Sequence, residues 1–129
     1  MATIRKIIDV ETTPEAVWAK VSDVANLSKL IGFVEKSELE GNQRICTTVD
    51  GAKLVEKIIS VDDANGRVVY SITQSPLDLD FHVAVMEITP ASKGTRLTWT
   101  VDLLPDTAAA HMEPMLDSAC ADMQKTLNI

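Results

Sequence analysis

Residues 43–104, QRICTTVDGAKLVEKIISVDDANGRVVYSITQSPLDLDFHVAVMEITPASKGTRLTWTVDLL, decide the fold. The stretch divides into RICTTV (44–49), KLVEKIISV (53–61), RVVYSIT (67–73), LDFHVAVMEI (79–88) and TRLTWTVDLL (95–104), separated by short segments rich in Gly, Asp, Asn, Ser and Pro. Runs of β-branched and aromatic residues bounded in this way read as antiparallel strands joined by turns. The last run alternates most cleanly, with Leu97, Trp99, Val101 and Leu103 on one side and Arg96, Thr98, Thr100 and Asp102 on the other. Such alternation marks a sheet with one face buried, and that face needs a cover.

The turns set the register. With Val49-Asp50-Gly51 as a three-residue loop and Gly51 left-handed, Arg44 lies opposite Glu56 and Cys46 opposite Leu54; a two-residue Asp50-Gly51 loop would instead set Glu56 against Ile45. Lys53 and Lys57 mark the wet side of their strand, so Glu56 points inward. Ala64-Asn65-Gly66 read as the same kind of turn sets Tyr70 beside Ser60, Ile72 beside Ile58 and Gln74 beside Glu56. Ser75-Pro76-Leu77 breaks the ladder. The next strand brings His82, Ala84, Met86 and Ile88 to one face and Phe81, Val83 and Val85 to the other. A loop at Ala91-Ser92-Lys93-Gly94 then pairs Ile88 with Leu97 and sets His82 on the same side as Trp99.

Before the meander, residues 3–11 read as a strand. Thr13 is the expected N-cap of a helix with Pro14 at its first position, Glu15 near the positive end of the dipole, and Val17, Trp18 and Val21 buried. A second short helix, VANLSKLI, stops at Gly32, and FVEKSELEG forms a charged strand turned by Gly41-Asn42. After Pro105-Asp106, the stretch DTAAAHMEPMLDSACADMQKTLNI (106–129) predicts a terminal helix. Its stripe of Met112, Met115, Leu116, Ala119, Met123 and Leu127 covers the sheet. Pro114 is expected to kink this helix or to move its start to about residue 113.

Composition bounds the function. A chain of 129 residues with 46% hydrophobic and 24% charged residues makes one ordinary globular domain, and the net charge of −7, without any basic run, argues against nucleic acid and anionic membrane surfaces. The start MATIRKIIDVE has no apolar signal core, and no segment approaches the ~20 apolar residues of a span, so a cytoplasmic location is expected. Cys46 and Cys120 lack metal-ligand spacing and read as buried, reduced thiols. No nucleophile elbow, phosphate loop, HExxH or cofactor motif occurs, so neither cofactor nor metal is expected.

Four segments, TPEAVWAKVSDVANL (13–27), RICTTVDGAKLVEKI (44–58), VVYSITQSPL (68–77) and GTRLTWTVDLLP (94–105), together with the order of elements, resemble the SRPBCC superfamily, the START and birch-pollen-allergen group that includes polyketide cyclase/dehydrase-like proteins. The resemblance covers nearly the whole chain. It implies an α+β helix-grip fold, in which a curved antiparallel sheet wraps around a long C-terminal helix, with two short helices after the first strand and a hydrophobic cavity between sheet and helix. Small bacterial members and plant hormone receptors of the family look similar around an inward Arg, an inward Glu and a Tyr. Carried onto this sequence these are Arg44, Glu56 and His82, where His replaces the frequent Tyr. The receptors' long gating loop is reduced here to Val49-Asp50-Gly51.

The expected function is binding of a small hydrophobic molecule (lipid, polyketide or aromatic-like), its carboxylate or carbonyl end near Arg44. The candidate ligand contacts are Arg44, Glu56, Tyr70, His82, Met86, Trp99, Met112, Leu116 and Met123. The alternative is a cyclase or dehydratase in which Glu56, His82 and Tyr70 exchange protons and Arg44 holds an enolate. A third reading is an interaction module or homodimer using Val83 and Val85. Each residue also has a plainer role: Arg44 and Glu56 as a surface cross-strand pair, His82 as a satisfied core histidine, Tyr70 as a donor to backbone, the methionines as gap fillers, Trp18 and Trp99 as core, and His111 at the surface.

Overall fold

The structure, a computed structural model, describes residues 1–128. Seven strands form one antiparallel sheet: β1 (Ala2–Val10), β2 (Val34–Glu40), β3 (Gln43–Thr48), β4 (Lys53–Asp62), β5 (Arg67–Gln74), β6 (Phe81–Ala91) and β7 (Gly94–Leu104), in the spatial order β1-β7-β6-β5-β4-β3-β2. Helix α1 (Pro14–Val21) and a 3-10 segment (Val24–Lys29) fill the link between β1 and β2, and the long helix α2 (Ala109–Thr126) follows a short 3-10 turn at Asp106–Ala108. The sheet curves around α2 as a helix-grip fold. Ile129, the last residue of the predicted terminal helix, lies outside the described residues.

Local chemistry accounts for the elements that set the register. Thr13 Oγ1 accepts a hydrogen bond from the Ala16 amide at 3.4 Å, with Pro14 at the first turn, so α1 starts where the sequence places it. Gly51 has φ 88, the left-handed geometry that a three-residue hairpin loop requires, and Arg44 faces Glu56 and Cys46 faces Leu54 as a result. Ile88 pairs with Leu97, although the β6–β7 hairpin closes more tightly than a four-residue loop, with Ala91 already paired to Gly94. His82, Ala84, Met86 and Ile88 are all buried, and Phe81 stands exposed on the opposite face.

Several expectations need correction. Asp62 accepts hydrogen bonds from both the backbone and side-chain nitrogens of Asn65, so the β4–β5 turn is four residues, 63–66. Bulges in the ladder then set Tyr70 beside Ile58 and Glu56 beside Ile72, and Gln74 beside Val55. Helix α2 starts at Ala109 and runs through Pro114, so no separate turn spans 107–112. A proline at the sixth helical residue forfeits one hydrogen bond, and burial of Met112, Leu116, Ala119, Met123 and Leu127 outweighs that cost. Trp18 is only half-buried, because its Nε1 donates to Asp63 at 2.9 Å at the rim; Met115 and Cys120 are half-buried as well.

Polar ties hold α2 in the sheet's grip at both ends. Lys6, opposite Trp99 on β1, reaches Glu113 at 3.0 Å and Asp117 at 2.8 Å. Farther along, Asp122 accepts from the Gly32 amide at 2.7 Å, Gln124 donates to the Asp9 carbonyl at 2.6 Å, and Thr126 donates to the Leu30 carbonyl at 3.1 Å.

Candidate functional site

Between the sheet and the N-terminal half of α2 lies an inner cavity of about 50 Å³. Strand alternation supplies its polar wall: Glu56 from β4, Tyr70 from β5, His82 from β6 and Trp99 from β7. Met86, Met112 and Leu116 complete the part of the lining foreseen in the sequence. An apolar cleft of about 480 Å³ opens beside it, between the β3–β4 turn, the β5–β6 segment at Ser75-Pro76-Leu77, and Met112, Pro114 and Met115 of α2. Phe33, Leu54, Ile72, Met112 and Met115 line both spaces and form the partition between them.

The polar wall is wired from behind. Arg44, 3% exposed, donates from Nε to Glu56 Oε1 at 2.8 Å and from Nη1 to the Val24 carbonyl at 3.2 Å, and its guanidinium lies 5.1 Å from the centre of the Tyr70 ring. Burial pulls the Arg44 pKa down, but the charge of Glu56 and the hydrogen bond to it outweigh burial and leave it raised. The Cys46 thiol donates to the same Glu56 oxygen at 3.6 Å; burial and the Glu56 charge push its pKa up to about 12, so it stays a thiol. Burial raises the Tyr70 hydroxyl as well, and Trp99 Nε1 donates to that hydroxyl at 3.2 Å.

His82 accepts from the Ile72 amide through Nδ1 at 2.9 Å, so its proton is assigned to Nε2. Burial lowers its pKa to about 4, and the ring is therefore neutral at neutral pH. Its ring lies 5.9 Å from that of Tyr70. Neither Glu56 Oε2 nor His82 Nε2 has a protein partner among the described residues, and yet no buried side-chain polar atom is left unsatisfied there. These two atoms and the Tyr70 hydroxyl proton are thus the polar groups offered to the cavity: one acceptor and two donors.

Of the residues singled out from sequence, Glu56, Tyr70, His82, Met86, Trp99, Met112 and Leu116 meet at the inner cavity. Arg44 and Met123 are buried but do not line it: Arg44 stands behind Glu56 and Met123 packs in the core. His111 is exposed. Sequence reasoning missed Leu27 of the 3-10 segment, Ile31, Phe33 and Val34 after it, Leu54, Ile72 and, as a lining residue, Met115. Ile72 follows from the alternation of Tyr70, and Leu27 and Ile31 from their spacing of four, whereas nothing local marks Phe33. The short β3–β4 turn does edge the cleft: Thr48, Val49 and Asp50 line it, tied by the Thr48–Asp50 hydrogen bond and by the Val49 amide to the Phe33 carbonyl at 3.0 Å.

A family model described as polyketide cyclase / dehydrase and lipid transport matches residues 1–128. No curated protein matches the chain. Among solved structures, the protein XoxI from Bacillus cereus superposes with a TM-score of 0.89 at 17% identity, covering 98% of this chain and 96% of that one. Ara h 8.0201 does so with a TM-score of 0.76 at 19% identity, covering 98% and 97%. A START superfamily protein from Mycobacterium smegmatis gives 0.70 at 13% identity, covering 91% and 92%. At these identities the shared property is the fold. Among the described residues no helix is long and apolar enough to cross a membrane.

Proposed function

The chain belongs to the polyketide cyclase/dehydrase and lipid transport family, and on that footing we propose that it binds a small, largely hydrophobic molecule between its sheet and α2. The observation that carries this reading is the abutment of an open apolar cleft with an inner cavity whose far wall bears Glu56, Tyr70 and His82. Apolar volume of a few hundred Å³ ending in a few convergent polar groups is the usual form of a small-molecule site. The cleft supplies the apolar contact and the cavity the orientation.

Titration with N-phenyl-1-naphthylamine, an uncharged apolar fluorophore, tests the reading. Saturable fluorescence enhancement is expected, and it should fall in Met115→Trp, which fills the partition from a half-buried position on α2. A protein that gives no saturable signal, or a signal indifferent to that substitution, has no such site.

A second reading, acid–base turnover, draws on the meeting of Glu56, Tyr70 and His82 at one cavity. Glu56 Oε2 would take a proton from the carbon next to a carbonyl while Tyr70 or His82 donates to the developing enolate oxygen, a role that falls to them because Arg44 is occupied elsewhere. Deuterium uptake from D2O at the α-carbons of a long-chain methyl ketone, followed by NMR, measures it. Uptake no faster than in buffer, or unchanged by Tyr70→Phe, would exclude this chemistry for ketones.

A further inference from the structure

The binding reading can be carried to the chemistry of the ligand's head, and the inference rests on that reading. The inner face of the sheet brings two cations toward α2, Arg44 and Lys6, but neither lines the cavity and each is paired with carboxylate. Arg44 gives Nε to Glu56 and Nη1 to the Val24 carbonyl. Lys6 is held by Glu113 and Asp117. What remains at the cavity is the second oxygen of the Glu56 carboxylate, with the neutral donors Tyr70 O–H and His82 Nε2–H beside it. An entering carboxylate would meet a like charge with no cation among the cavity's lining residues to offset it. A hydroxyl would instead donate to Glu56 Oε2 and accept from Tyr70 or His82, giving the carboxylate oxygen the donor it lacks.

The dimensions separate head from tail. The cavity of about 50 Å³ holds only a few water-sized groups, whereas the neighbouring cleft of about 480 Å³ is wide enough for an alkyl or ring system. Of the five side chains between them, Met112 and Met115 are unbranched and can swing aside for a chain that threads both spaces. We propose that the site selects an uncharged amphiphile with a hydroxyl head, seated on Glu56 with its apolar tail in the cleft, and that it rejects the carboxylate of the same length. The Arg44–Glu56 pair is then the selectivity element: the arginine holds one oxygen of the carboxylate and aims the other, which demands a donor from the ligand.

Competition against bound N-phenyl-1-naphthylamine at pH 7 by 1-decanol, 2-decanone and decanoate tests this. Decanol is expected to displace the probe at a concentration at least about tenfold below that of decanoate, the equivalent of a hydrogen bond to a charged group. The ketone, which lacks a donor, should fall between them. In Glu56→Gln the preference for the alcohol over the acid should collapse; if that variant fails to fold, the order in the wild-type protein decides alone. Decanoate competing as well as decanol, or no displacement by any of the three, overturns the head assignment while probe binding leaves the site itself standing. Absence of probe binding removes the site and this inference with it.

Discussion

Replacing Glu56 by Ala is expected to destabilise the fold by about 3–5 kcal/mol, the range for breaking a buried ion pair from one side. The magnitude follows from what would surround Arg44 afterwards. The residue is 3% exposed, and without Glu56 its charge keeps only the Val24 carbonyl and the face of Tyr70. Arg44→Ala acts from the other side: among the described residues it leaves the Glu56 carboxylate with only the Cys46 thiol as donor, at 3.6 Å, and a comparable loss is expected. The double replacement Arg44→Leu/Glu56→Leu removes both charges and fills the space with aliphatic volume, so it should lie within about 1 kcal/mol of the native protein or above it. Urea unfolding followed by tryptophan fluorescence compares these three variants with the native protein. With a slope of about 1–3 kcal/mol per molar urea, each single variant should lower the midpoint by roughly 1–5 M. Single variants that each cost under about 1 kcal/mol would refute the reasoning, since that is the worth of a pair in contact with water.

Three further outcomes follow from the same structure. Gly94→Ala puts a Cβ within 2.3 Å of the Val10 carbonyl oxygen, where β7 crosses the end of β1, so it should cost about 2–4 kcal/mol; Gly51→Ala, with nothing within 4 Å, should cost only the ~1 kcal/mol of a left-handed alanine, and thermal melting compares them. His82 binds its proton less readily folded, at about pH 4, than unfolded, at 6.5, so the unfolded chain holds more protons between these values and stability must fall as pH drops through that window. About 3 kcal/mol separates the two ends, and the pH dependence of the urea midpoint should be flatter by that amount in His82→Phe; equal slopes would contradict a buried neutral imidazole. Cys46, buried with its pKa at about 12, should react with an aromatic disulfide reagent far more slowly than half-buried Cys120, and mass spectrometry of the partly labelled protein after digestion reads the order.

Much of this was legible before any coordinates. Strand alternation placed Leu97, Trp99, Val101 and Leu103 in the core, and the three-residue loop ending at Gly51 set Arg44 against Glu56, because a hairpin's register is fixed by its own turn. The β4–β5 hairpin resisted the same treatment. Its turn residues suit both a three- and a four-residue loop, and the choice fell to the Asp62–Asn65 hydrogen bonds and to bulges that no local pattern announces. Of the two outcomes that Pro114 allows, a kink or a start near residue 113, the second fails because the buried face of α2 outweighs the local hydrogen-bond loss, and that face is not visible from Pro114 alone.

By itself, then, the sequence determined the order of the elements and the faces of the clearest strands, which rest on period, turn chemistry and spacing within a few residues, while its quoted segments carried the family resemblance; it left Glu56 open between an inward place and a surface pair. Only the tertiary structure decided where Arg44 spends its charge. Whether a guanidinium faces a cavity or stands behind a carboxylate depends on the Val24 carbonyl of a distant 3-10 segment and on the Tyr70 ring of another strand. The volumes of the cavity and the cleft likewise arise from sheet curvature and from how Met112 and Met115 pack across it. Such quantities are sums over contacts between residues far apart in the chain, and the alternation of any one strand carries no record of them.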